Sequence, residues 1–150
     1  MERHPTADLD RKAGVLDRRA EALFTDAFLV LLVVFGLGYL GSSLLGVRGG
    51  GMVGGLITAQ FAAFPALLLY QTALEGYYGA TIGKYLRNIV VVKSDGSDVT
   101  WGSAVVRNVL RIVDALPVFY LLGIVVAYVT DEHQRIGDLA GGTVVVYTSD

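Results

Sequence analysis

Several ionisable side chains stand in stretches of sequence that are otherwise apolar. Asp26 lies about one and a half turns inside a long apolar run that begins near Ala20. Arg19 precedes it by seven residues, which places both on one helical face. Asp114 falls in a third apolar segment, with Arg111 at i−3 and Arg107 at i−7, and Gln71 and Glu75 close the end of a second. A charge at the centre of a bilayer costs about 2.5–3.5 kcal/mol on insertion scales, so such groups need partners and mark candidate sites. We expect Arg19, Arg107 and Arg111 to meet Asp26, Asp114 and Glu75 in one layer. Two chemistries fit such a layer. It is either a neutral ion-pair network that fixes helix packing, or a site for a cation or a proton. A pathway needs polar access from both faces, and the outer halves of these runs offer only Gln60, Ser42 and Ser43. A single chain therefore favours the structural reading, while an oligomer would supply the missing path.

Other chemistries find no support in the residue types. No nucleophile, base and orienting group converge, so no enzyme is expected. Cysteine is absent, which removes disulfides, thiol nucleophiles and thiolate metal sites. His4 and His133 stand alone in polar stretches and read as solvated. No His/Asp/Glu cluster has zinc spacing, and no metal or cofactor is expected. Gly79-Ala-Thr-Ile-Gly-Lys84 superficially matches a phosphate-binding loop, but that motif needs four residues between its glycines and Ser or Thr after the lysine. Here there are three, followed by Tyr85. A net charge of −2 is too small to point to nucleic acid.

The elements that would hold these residues are membrane helices. The chain is 53% hydrophobic and 17% charged, against about 25% charged in a soluble domain. No Asp, Glu, Lys or Arg occurs from Ala27 to Val47 or from Met52 to Leu74. Each run exceeds the ~18 residues that signal a spanning helix, and neither has the polar face of a soluble core helix. The first run is too long for a signal-peptide core and is followed by a second, so it reads as an uncleaved anchor. The chain divides into a polar arm, residues 1–19, and a membrane domain, residues 20–150. Pro5 and Gly14 break up the arm, which is expected to be a mobile tip followed by a short surface helix. Residues 46–55, with six glycines, are expected to form a tight loop between antiparallel helices.

Small residues recur every fourth position, as Gly38, Ser42 and Gly46 in the first run and Gly55, Ala59 and Ala63 in the second. Such stripes let helix backbones approach closely. Packing of these two helices on each other accounts for them more simply than a seam between copies. Pro65 is expected to kink the second span. Arg3, Arg11, Lys12, Arg18 and Arg19 crowd the arm, the first loop has only Arg48, and the second has Lys84, Arg87 and Lys93. This bias places the N-terminus and the loop from Gly76 to Trp101 in the cytoplasm. Trp101, Tyr77, Tyr78 and Tyr85 fall near a boundary, where aromatic rings suit the headgroup level.

Residues 88–93 and 142–147 are β-branched, and the first is bounded by the turn signal Ser94-Asp-Gly-Ser-Asp98. Neither strand is stable alone, so they are expected to pair. The third apolar segment, residues 103–130, then poses a conflict. One crossing would leave the last strand on the far side, unable to pair. A segment broken at Pro117, where a continuous helix loses a hydrogen bond, would return it. Pairing favours the broken form, and the sequence alone leaves both open. The expected fold is thus mainly α, with polytopic membrane helices and a small cytoplasmic β-strand pair.

Several ordered motifs resemble the RDD family of small membrane proteins, named for an arginine and two aspartates. They are Arg18-Arg-Ala-Glu-Ala-Leu-Phe-Thr-Asp26, Thr81-Ile-Gly-Lys-Tyr-Leu-Arg-Asn-Ile-Val-Val-Val-Lys-Ser-Asp-Gly96, Arg107-Asn-Val-Leu-Arg-Ile-Val-Asp-Ala-Leu-Pro117 and Gln134-Arg-Ile-Gly-Asp-Leu-Ala-Gly-Gly-Thr-Val-Val-Val146. The resemblance implies that Arg19 and Asp26 are the family arginine and first aspartate. Asp114 is the choice for the second aspartate, with Asp138 as its rival. Departures are Leu23, where many relatives have a basic or aromatic residue, and the extra Gly142. The resemblance also implies transport of undefined ligands, with some members linked to sodium/proton exchange. The expectation is a multi-pass plasma-membrane protein with the bilayer as its first partner. It would be an accessory or scaffold module, whose rival is a transporter working as a homo-oligomer or with a partner membrane protein.

Overall fold

The computed structural model describes residues 4–9, 15–47, 50–114 and 136–149. A two-residue strand β1 (Ala7–Asp8) precedes two long helices, α1 (Val15–Leu44) and α2 (Gly50–Tyr78). Then come a short helix α3 (Ile82–Leu86), strand β2 (Ile89–Lys93), helix α4 (Trp101–Asp114), short helix α5 (Ile136–Ala140) and strand β3 (Thr143–Thr148). The helices α1 and α2 are long and apolar enough to cross a bilayer. The third apolar segment beyond Asp114, including Pro117, lies outside the described residues, as does His133.

The helix pair is joined more tightly than expected. The loop foreseen over residues 46–55 is short, because α2 already starts at Gly50. Glycine weakens a helix by about 1 kcal/mol per residue. Where water is scarce, however, every backbone group must find a partner within the chain, and the helix provides it. Gly46 is a cap and not part of the seam. Its φ is +67°, its N–H reaches the Ser43 carbonyl, and Val47 N–H reaches that of Ser42. This double bond pattern satisfies the last carbonyls of α1 and needs a left-handed residue.

The seam itself runs through Gly38 and Ser42 of α1, as anticipated, but meets Gly54 and Thr58 of α2. A β-carbon added to Gly38 would lie 2.7 Å from the Gly54 carbonyl oxygen, and one added to Gly54 would lie 2.8 Å from that of Gly38. Gly55 instead lies under the Phe35 ring, and Ala59 and Ala63 are half-buried. Gly38→Leu must therefore push the backbones apart. We expect a loss of about 1–3 kcal/mol, read as a lower melting temperature in detergent. Gly36→Leu, where an added side chain meets open space, should melt like the parent. Equal melting of the two variants would show that the seam does not carry the pair.

The two foreseen strands do pair, antiparallel, with Val91 opposite Val145 and Lys93 opposite Thr143. The Ser94–Asp98 turn closes on a Gly96 N–H bond to the Lys93 carbonyl. A third strand joins them: β1 pairs with β3 through Ala7–Thr148 and Asp8–Tyr147, giving the order β1-β3-β2. The mobile tip foreseen for the arm is thus corrected at these residues, and α1 starts at Val15, upstream of the expected boundary. His4 is also not solitary, since its N–H binds the Tyr78 carbonyl and its ring stands 3.8 Å from Asp98. Both sheet faces are covered, which is why the strands read as unbroken valine runs. Ile89, Val91 and Val145 pack with Val15, Ala22, Val99 and Ala104, and Val90, Val92, Val144 and Val146 pack with Ala7.

Candidate functional site

The polar layer forms where α3, α4 and α5 meet the sheet-side ends of the two long helices. Each short helix is held there by a close backbone approach. A β-carbon on Gly83 of α3 would strike the Ala22 carbonyl of α1 and lie 2.9 Å from Asp26 Cγ. One on Gly137 of α5 would lie 2.6 Å from the Arg107 carbonyl of α4. Only glycine permits these contacts.

Asp26 is fully buried but meets no arginine among the described residues. Its Oδ1 accepts from Tyr70 Oη at 2.9 Å and from Gly83 N–H at 2.8 Å, and its Oδ2 accepts from Thr81 Oγ1 at 2.6 Å. The aspartate thus serves the start of α3, whose N-cap is Thr81. A carboxylate there completes orphan N–H groups that the helix cannot satisfy itself. The expected Arg19–Asp26 pair is accordingly corrected. Seven residues apart means the same face, but also ~10 Å along the axis. Arg19 instead pairs with Asp138 of α5.

Glu75 is the centre of the layer. Its Oε1 pairs with Lys84 Nζ, and its Oε2 meets Arg107 Nε at 3.2 Å and Asn108 Nδ2 at 2.9 Å. Asp138 binds Arg107 Nη2 at 3.0 Å as well as Arg19. Arg107 therefore bridges α2 to α5, with Nη1 buried and without an acceptor among the described residues. Arg111 donates to Gln71. Asp114 ends α4, and its side chain lies outside the described residues. Of the two candidates for the second aspartate, Asp138 is the one seen among the arginines.

A profile of the RDD family matches residues 13–142. The chain belongs to the RDD family. That makes it a small membrane protein, in keeping with its two apolar helices. No curated protein and no solved structure matches it. Within this RDD protein, Arg19, Glu75, Arg107, Arg111 and Asp138 gather, while Asp26 anchors a separate cluster about two turns from Arg19 along α1. Sequence reasoning missed Lys84, Tyr70, Thr81, Gly83, Asn108 and Gly137 as site residues. The signals were Thr81 three residues before Lys84, in a stretch that also carries a family motif, and Asn108 beside Arg107. Among the described residues no three His, Asp or Glu side chains gather as a metal site would require.

Asp26 now carries a graded prediction. Asp26→Asn keeps the shape and one acceptor, and Thr81 can turn its hydroxyl to accept from the new amide. We expect a cost of about 1–2 kcal/mol, against at least ~3 kcal/mol for Asp26→Ala, which strands several buried donors. Thermal melting in detergent reads both, and an equal loss in the two variants would show that charge and not hydrogen bonding is what matters.

Lys84 carries a pH prediction. Burial pushes its ammonium down from 10.5 to about 7, helped by Arg107 and Arg111 and opposed by Glu75. Between about pH 7 and 10.5 the unfolded chain then holds a proton on Lys84 that the folded chain lacks. Stability rises with pH wherever the unfolded state binds more protons. The Lys84 contribution should therefore be weakest below pH 7 and grow toward pH 10. Melting profiles of the parent and Lys84→Met should diverge in slope across that window, and parallel profiles would refute the assignment.

Proposed function

We propose that this RDD protein is a non-enzymatic membrane module that acts as an accessory or scaffold for other membrane proteins. One observation carries the reading. Each described buried carboxylate is closed by donors of the same chain: Asp26 by Tyr70, Thr81 and Gly83, Glu75 by Lys84, Arg107 and Asn108, and Asp138 by Arg19 and Arg107. An ion site keeps ligand positions free for its cargo, whereas a structural clasp uses them all. The clasp ties both long helices to a platform built from both ends of the described chain. The lysine and arginine bias supports a cytoplasmic platform in the plasma membrane. The β2–β3 pairing supports a third segment that returns to its side of entry, since a strand beyond the bilayer could not reach its partner.

The transporter reading retains specific support. Lys84 sits in the layer with burial pushing its ammonium pKa down, and Arg107 Nη1 has no acceptor among the described residues. A second copy or a partner protein would then complete a path for a cation or proton. Proteoliposomes separate the two readings. The scaffold reading expects sodium- and proton-gradient dissipation equal to that of empty vesicles, unchanged in Asp26→Asn and Lys84→Met. Flux above that level, lost in either variant while its melting curve persists, would replace it with transport.

A further inference from the structure

Helix α4 is amphipathic in the reverse sense to that of a soluble protein. Its inward side presents Ala104, Arg107 and Asn108, which are buried, together with Arg111. Its outward stripe is Trp101, Val105, Val109 and Ile112, with Val109 54% exposed. The spacing of four, four and three keeps these residues on one face. Helix α3 repeats the pattern over its short length. Gly83 and Lys84 point inward, while Ile82, Tyr85 and Leu86 are exposed, Leu86 to 62%.

The depth of both helices follows from what they touch. Helix α3 is held on α1 at Ala22 and Asp26, just before the charge-free run begins. The contacts of α4 on α2 step from Gly76 at Trp101 to Glu75 at Asn108 and Gln71 at Arg111. It therefore descends along α2 toward the charge-free stretch. At the same level α1 exposes Phe24, to 76%, and Phe28, and α2 exposes Leu69 and Tyr77. The lipid-facing surface of the long helices thus continues onto the outer faces of α3 and α4. At its edge stand Arg18 and Arg87, both half-exposed and sharing Glu21. A soluble monomer rarely leaves more than a few hundred Å² of contiguous apolar surface in water. Helices with this pattern lie at the boundary of headgroups and acyl chains.

We propose that α3 and α4 are interfacial helices docked on the acyl chains of the sheet-side leaflet, with Arg18 and Arg87 at its phosphates, so that the protein occupies more area in that leaflet than in the other. Lipid then forms the outer wall of the polar layer and keeps water from Glu75 and Asp26. The inference goes beyond the proposed function and holds whether the layer is a clasp or an ion path.

The chain is suited to a depth measurement, having no cysteine and a single tryptophan. Full-length protein in phosphatidylcholine–phosphatidylglycerol vesicles would carry one nitroxide at a time, through Leu86→Cys, Val109→Cys or Ile112→Cys. Phe61→Cys is the mid-span reference and Ser97→Cys the aqueous one. Relaxation by oxygen against a water-soluble nickel chelate reports depth. Positions 86, 109 and 112 should favour oxygen and read shallower than 61, with 112 deeper than 109. In the unaltered chain Trp101 should be quenched by chain-brominated lipid and shielded from iodide. This second readout does not depend on any variant folding. Chelate access like that of position 97, with Trp101 open to iodide, would place these helices in water and overturn the proposal. Exclusion of both relaxants would show protein on this face, from elsewhere in the chain or a second copy, and would overturn it equally.

Discussion

Glu75→Gln should lower the stability of this protein by about 3–5 kcal/mol, the usual cost of breaking a buried ion pair from one side. The carboxylate is fully buried and balances Lys84 and Arg107 while accepting from Asn108. Without its charge, the buried Lys84 and Arg107 and the half-buried Arg111 face one another with one compensating carboxylate fewer. Lysine can escape by releasing its proton, but arginine cannot. Adding Lys84→Met to Glu75→Gln should therefore recover part of the loss. Thermal unfolding in detergent, followed by far-ultraviolet circular dichroism, measures both. A Glu75→Gln curve superimposable on the parent would mean the layer is not a clasp.

Asp138→Asn should be comparably costly, about 3–5 kcal/mol, but its damage should be felt elsewhere. Asp138 is the carboxylate through which Arg19 of α1 and Arg107 of α4 both hold α5. Loosening α5 frees the start of β3, so the amides of Val144, Val145 and Val146 should exchange with deuterium faster than in the parent, while those of the α1–α2 seam change little. Uniform exchange across both regions would show global destabilisation and not release of α5. Because Arg107 touches Glu75 and Asp138 alike, the two losses share a partner. The Glu75→Gln/Asp138→Asn double variant should lose measurably less than their sum, as residues in one network do. Strict additivity would show that Arg107 does not couple them.

Much of the frame was legible before any coordinates. The charge-free runs from Ala27 and Met52 predicted α1 and α2, and the valine runs and the Ser94–Asp98 turn predicted the β2–β3 ladder. Less legible was β1, since Ala7-Asp8 has no strand signal of its own and pairs only because the edge of β3 is there. The site was half legible. Charge in apolar sequence pointed to the arginines and to Glu75 as a partner, which Arg107 meets, but not to Asp138 as the partner of Arg19 or to the tyrosine, threonine and amide that close Asp26. Lys84 read as a loop charge, and Thr81 and Gly83 as motif residues without a role, because their roles depend on α3 folding back onto Ala22 and Asp26.

The sequence by itself determined which segments are apolar enough to cross a bilayer, where strands form, and that buried charges must find compensation. These are sums over neighbouring residues, and hydrophobic transfer and backbone geometry depend on nothing farther away. Which cation meets which carboxylate was decided only by the tertiary structure. Arg19 had several carboxylates of equal chemistry to choose from, and the choice fell to how closely Gly38 and Gly54 let the long helices approach and how Gly83 and Gly137 seat the short ones. A side chain reaches only a few ångströms, so a small rotation or slide of a helix exchanges its partner without altering any property written along the chain.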